Sequence, residues 1–336
     1  MRIDVHAHHM SPDYLALLME LKAFEEVPVF RLMKHQTLRT DWSPEQDRRH
    51  KDFSVRLPDM DAAGVDMQII SAGGGQPYFT TEAKAVRATQ FLNDEYREIL
   101  SQYPDRFSAF GSIPLPHADA AVSEIARCLD ELGFAGIAVS CSAAGIPLDD
   151  ERFAPVWAEL DRRSAVLYVH PGAQIDGIVG CGDYHLAPDY VSPAEIAVTA
   201  SRLVVNGILD RYPNVQIILA TLGGGLPFFG QRFDHGLHQE HADLYEQLGG
   251  FTPHLRRFHY DTSVLEEPYA LRLAAERFGT DRLMLGSDFP RDRVTESVAV
   301  AYVAEADFLT DAEKEEILDH NAYTLLRERL RSSASA

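Results

Sequence analysis

Eight short apolar runs recur along this chain, and most are followed by a stretch with helical spacing of its apolar residues. The strand-like runs are Arg2–Val5, Met67–Ser71, Phe107–Ile113, Gly136–Ser140, Ala165–His170, Val215–Ala220, His259–Thr262 and Arg282–Gly286. Helical patterns fall over Ser11–Phe24, Arg56–Gly64, Thr80–Tyr103, His117–Leu132, Phe153–Arg163, Pro193–Arg211, Phe228–Glu246 and Pro268–Phe278, with two more from Val294 and Asp311. Near-continuous apolar strands alternating with helices imply a parallel sheet covered on both faces. Eight such units predict a (β/α)8 TIM barrel, with an open doubly wound sheet as the competing architecture. No GxGxxG follows the first strand and no phosphate-loop motif occurs, which weakens the nucleotide-binding alternative.

Two irregular stretches interrupt the rhythm, Glu25–Lys51 after the first strand and Gln174–Tyr190 after the fifth. Long connections in a compact domain are usually functional, often as lids over a site. The 336 residues suit one large barrel or two ordinary domains. With no internal repeat, low-complexity tract or linker, the reading is a single domain over residues 1–336.

A net charge of −20 argues against nucleic acid and anionic membrane surfaces as partners. It leaves the substrate open, because a pocket can be locally positive on an acidic protein. Cys128, Cys141 and Cys181 are too widely spaced for a disulfide framework or a CxxC metal site, and read as free thiols. A strand starting directly after Met1 leaves no room for a signal peptide, and no apolar run reaches membrane length. The expected location is the cytoplasm.

The chemistry of such a barrel belongs at the carboxyl ends of its strands. The first strand delivers His6 and His8 on one face and His9 on the other, since side chains two apart share a face. The fifth ends in His170-Pro171-Gly172, and the eighth in Gly286-Ser-Asp288-Phe-Pro290. Each has a plain alternative: polar residues at a strand end or a tag for the histidine pair, a satisfied core histidine for His170, a helix cap for Asp288. Four such groups on converging strand ends make a stronger case. His6, His8, His170 and Asp288 then supply nitrogen and oxygen ligands to one ion, with a position left for water or substrate.

These same segments resemble the amidohydrolase superfamily, and more narrowly its branch of aminocarboxymuconate-semialdehyde and γ-resorcylate decarboxylases. Further matching segments are Met60-Asp-Ala-Ala-Gly-Val-Asp66, Gly223-Gly-Gly-Leu-Pro-Phe228, Tyr260-Asp-Thr-Ser263 and Asn321-Ala322, spanning nearly the whole chain. The resemblance implies one divalent metal, usually zinc and sometimes manganese, and often a homodimer. It also implies small carboxylated aromatic or dienoic acid substrates.

One position departs from that branch. Its members usually carry a histidine at the end of the sixth strand, where this chain has Thr221 in Ala220-Thr221-Leu222-Gly223-Gly224. Imidazole exchanges a proton near neutral pH, whereas a threonine hydroxyl only shares hydrogen bonds. Three readings follow: an engineered active-site substitution, replacement by His185, His235 or His259, or a reaction that needs no histidine there.

The leading expectation is non-oxidative decarboxylation, with Asp288 as ligand and proton shuttle. Arg232, Arg291 or Arg293 would clamp a second substrate anion, since guanidinium pairs bidentately with carboxylate. For each arginine a solvated surface charge is an equal alternative. Phe30 and Tyr184 would cover the ring, and His185 and His259 join the substrate-binding candidates. The competing expectation is hydrolysis or hydration of an amide, lactone or double bond by metal-activated water, which the loss of the histidine favours. A metal-bearing barrel turned binding protein is the third, and the retained ligand set argues against it.

Overall fold

The computed structural model describes residues 1–30, 48, 52–172, 186–264, 267–290 and 295–333. Among these residues, eight parallel strands pair in chain order: β1 (Ile3–His8), β2 (Met67–Ser71), β3 (Phe107–Gly111), β4 (Gly136–Ser140), β5 (Val166–His170), β6 (Gln216–Leu219), β7 (His259–Asp261) and β8 (Leu283–Met284). The sheet closes on itself. Val5 N–H donates to the Leu285 carbonyl at 3.0 Å, Asp288 N–H donates to the His6 carbonyl at 2.8 Å, and Ala7 bridges Phe289.

Helices follow the strands in turn: Pro12–Glu20, Glu82–Gln102, Ala118–Ala126, Ala154–Arg162, Ser192–Val205, Leu226–Glu240, Pro268–Phe278 and Glu296–Ala304. The helix Arg56–Ala63 is an addition between β1 and β2. This is the (β/α)8 barrel that the alternation predicts.

Every residue of β2, β3 and β4 is buried, which is why their sequences run apolar rather than alternating. Side chains fill the barrel: the rings of Phe110 and Tyr168 stack with centroids 5.3 Å apart. Tyr168 in turn lies edge-on to His6, so the packed interior is the floor of the site.

Backbone punctuation shortens several predicted helices. Ser11 caps the first by accepting the Tyr14 N–H at 2.8 Å, but Lys22 sits at φ +64° and starts a separate turn, Ala23–Glu26. The pattern over Pro193–Arg211 is two helices, because Gly207 at φ +66° ends one and opens Ile208–Arg211. A small hairpin, Ser142–Ala143 with Ile146–Pro147, follows β4 and has no counterpart in the sequence reading. Most of the two irregular stretches lies outside the described residues.

Cys128 and Cys141 are free and buried, and burial pushes both thiols well above the ordinary cysteine range. They are packing residues. Cys181 lies outside the described residues. No described helix is long and apolar enough to cross a membrane.

Candidate metal centre

The end of β1 carries the first two donors. Its pairing with β2 shifts register between Asp4 and Ala7, and His8 finishes opposite Ser71. His6 and His8 come together with Nε2 atoms 3.1 Å apart. His9 turns the other way and packs on Phe53 and Tyr96, as the strand period requires.

His170 at the end of β5 and Asp288 beyond β8 complete the cluster. Asp288 Oδ1 lies 2.9 Å from His8 Nε2 and 3.4 Å from His6 Nε2. The three imidazoles pack as T-shaped pairs, with centroids 4.8, 5.1 and 4.9 Å apart and planes crossed by 80 to 86°. One donor atom from each of the four residues falls within 4.8 Å of the others.

The hydrogen bonds behind the ring fix how the imidazoles face. His6 Nδ1 is 3.0 Å from Asp261 Oδ2, and His170 Nδ1 is 2.8 Å from the Pro171 carbonyl. Both acceptors require a proton on Nδ1, which leaves the Nε2 lone pairs aimed into the cluster. Metal-binding histidines are held this way, by a carboxylate or carbonyl on the far nitrogen. The donor set of three imidazole nitrogens and a carboxylate oxygen therefore fits a divalent ion such as zinc.

Exposure shows which side is open. The His6 side chain is 1% exposed, while His8 and Asp288 keep 19% and 14%. A bound ion would face solvent past His8 and Asp288, the open position a catalytic site needs.

Asp261 is the carboxylate behind the cluster that the sequence pattern does not single out. It ends β7, is fully buried, and also receives the Tyr168 hydroxyl at 2.8 Å and the backbone N–H groups of Thr221 and Ser263 at 3.0 Å each. Burial alone would raise its carboxyl, but His6 and the bond from Ser263 outweigh that and hold it below the ordinary range. The available signal was positional, an acid at a strand's carboxyl end inside Tyr260-Asp-Thr-Ser263.

Charge at the cluster is divided unevenly. Burial disfavours a proton on His6, yet Asp261 and Asp288 overcome it and push its pKa up to about 10. His170 is driven well below the usual histidine range by burial and by its neighbours His8 and His6. A cation at the centre would take the place of the His6 proton, which would couple ion binding to proton release.

Close backbone approach completes the pocket. Gly73 at φ +52° lies against His8, where an added Cβ would be 2.3 Å from Cε1 of the ring. At Gly286 an added Cβ would be 2.8 Å from the Asp261 Cβ and 3.0 Å from the His6 Cβ.

Thr221 reaches the site through its backbone. Its N–H bonds Asp261, and its φ of +56° is unusual for a β-branched residue. The other candidates are not gathered here. His259 begins β7 rather than ending it, buried with Arg282 and Asp281 as its charged neighbours. Arg232 and His235 are exposed on the helix Leu226–Glu240. Phe30 is wholly buried and packs against Phe24 in the core. Tyr184, His185, Arg291 and Arg293 lie outside the described residues.

A closed barrel with a three-histidine, one-aspartate cluster at its carboxyl rim defines a metal-site α/β-barrel protein. A family model described as Amidohydrolase matches residues 3–327, and the chain belongs to that family. It is 31% identical to a γ-resorcylate decarboxylase from Rhizobium sp. (strain MTP-10005), over 79% of this chain and 86% of that protein. It is 28% identical to a 2-amino-3-carboxymuconate-6-semialdehyde decarboxylase from Dictyostelium discoideum, over 82% and 76%. Among solved structures, a 2,6-dihydroxybenzoate decarboxylase complexed with 2,6-dihydroxybenzoate superposes with a TM-score of 0.80 at 27% identity, covering 98% of this chain and 99% of the other.

Proposed function

We propose that this chain is a metal-dependent, non-oxidative decarboxylase of small carboxylated aromatic or dienoic acids. The observation that carries the reading is the convergence of His6, His8, His170 and Asp288, with the far nitrogens of two imidazoles already committed. The decarboxylases among its relatives support the reaction class and the substrate class.

His6, His8, His170 and Asp288 hold the ion, zinc by the chemistry of the donor set, with manganese as the alternative. When bound, a divalent ion supplies a Lewis acid that offsets the negative charge building as carbon dioxide departs. Asp261 keeps His6 in one tautomer and orientation. Asp288, on the open side, takes up a proton from solvent and carries it. The bond from carbon to carboxylate breaks, its electron pair stays on the substrate carbon, and the Asp288 proton is delivered there. A carboxylate beside a cation titrates low, so the substrate must raise its proton affinity for this transfer. Thr221 offers no titratable proton, and the proposed transfer rests on Asp288.

We further read the protein as a cytoplasmic homodimer. Its buried, unpaired Cys128 and Cys141 suit a reducing compartment. Phe228, Phe229 and Phe233 stand exposed on one helix, as an interface would need. Of the substrate-binding candidates, Tyr184, His185, Arg291 and Arg293 remain proposed, while Arg232 and His259 stand away from the cluster.

The test is to load the protein with zinc or manganese and supply 2,6-dihydroxybenzoate and a panel of carboxylated phenols and dienoic acids in water enriched in oxygen-18. Carbon dioxide release with no label in the organic product is expected. Label entering the organic product would mean hydrolysis or hydration and would overturn the proposal.

A further inference from the structure

We infer that Asp4 is a positioning residue, which holds Asp288 in a strained backbone conformation and thereby sets the shape of the ion site. The inference rests on the metal-site reading above. Asp288 sits at φ +60°, a region that non-glycine residues adopt only when their surroundings enforce it. The surroundings here converge on one carboxylate.

Asp4 Oδ1 accepts the Ser287 N–H at 3.0 Å, and Oδ2 accepts the Ser287 hydroxyl at 2.6 Å. The Ser287 oxygen in turn accepts the Phe289 N–H at 3.1 Å. Residues on both sides of Asp288 are thus tied to Asp4, while the Asp288 N–H is taken by the His6 carbonyl. Asp4 Oδ1 also accepts the His6 N–H at 3.0 Å, so the same side chain fixes the backbone of one ion ligand and of the residue preceding another.

The anchor is itself anchored. Gln68 Nε2 lies 3.4 Å from Asp4 Oδ2 and donates to Glu296 Oε1 at 2.7 Å, tying the junction to the helix Glu296–Ala304. Asp4, Gln68, Ser287 and Glu296 are all at most 1% exposed. A buried carboxylate is costly unless its hydrogen bonds are made, and those of Asp4 are directed at the ligand-bearing turn. Asp4 touches the backbone of His6 and the backbone and hydroxyl of Ser287 rather than the atoms that face the ion.

The test uses the full chain stripped of metal and titrated with manganese alone, the free ion being followed by electron paramagnetic resonance. Asp4→Asn is expected to weaken manganese binding by about 10- to 100-fold, the usual effect of removing a group that orients a ligand. Ser287→Ala keeps its N–H on Asp4 and is expected to lose less. The double variant is expected to be no worse than Asp4→Asn, because both act through one contact. Melting in chelator separates a merely structural role: a lower melting temperature with wild-type affinity in both variants would overturn the inference. If Asp4→Asn does not fold, Ser287→Ala decides, and wild-type affinity there overturns it. Failure of the wild-type chain to bind manganese or zinc would instead sink the metal-site reading itself.

Discussion

His6 and Asp261 form a buried pair, Nδ1 to Oδ2 at 3.0 Å, with side chains 1% and 0% exposed. The pair joins the first strand of the barrel to the seventh, and commits the far side of the imidazole proposed to hold the ion. Replacing Asp261 by Asn removes the charge and keeps most of the shape. Metal affinity is expected to fall about 10- to 100-fold, measured by competition with a chromophoric chelator. Unchanged affinity would show that Asp261 does not orient His6.

Gly73 is expected to be intolerant of a side chain. In Gly73→Ala the new methyl would press on the His8 ring, and the backbone at φ +52° already disfavours any Cβ. His8 must move, so metal content is expected to drop more than overall stability does. Metal analysis beside a thermal melt checks this, and a fully loaded variant would contradict it.

Thr221 tests whether a side chain at that position takes part in the chemistry. Its backbone N–H makes the contact with Asp261, and its φ is one that asparagine adopts more readily than threonine. Thr221→Asn is expected to stabilise the fold by about 1 kcal/mol, the scale of strain at such positions. Turnover is expected to stay within a few-fold of wild type. Loss of activity with metal content intact would assign the hydroxyl a direct role.

His259 gives the fold a dependence on acidity that is separate from the ion site. Burial, with Arg282 adding repulsion, lowers its pKa to about 4. Between that value and the ordinary histidine value of 6.5, the unfolded chain binds a proton that the folded chain refuses. Stability therefore rises with pH across this window and falls on acidification, by up to about 3 kcal/mol for such a shift. Chemical denaturation of wild type and His259→Gln at pH 4.5 and 7 is expected to show a smaller pH effect in the variant. Equal pH effects would remove His259 from the explanation.

What was legible in the sequence follows the distance over which each feature is encoded. Strand identity is local, so the closed barrel and the ends carrying His6, His8, His170 and Asp288 were readable. Partnership across the barrel is not local. Asp261 looks like any acid after a tyrosine until β1 and β7 face each other, and Asp4 becomes a clamp only when β8 closes on β1. His259 misleads for a related reason: in a three-residue strand, the sequence does not say which end meets the open rim. Arg232 lies in a helical pattern whose buried face is shared with Leu226, Gly230 and Leu237, and that phase leaves it outward. Gly207 reads as tolerable within a helix, and only its positive φ reveals a break.

The most direct measurement is the divalent metal bound per chain after loading and gel filtration, for wild type, His170→Ala and Asp288→Ala. One ion per chain is expected in the wild type, with marked loss in both variants, because their donors come from separate strands and meet at one point. A full complement of metal in either variant would contradict the site.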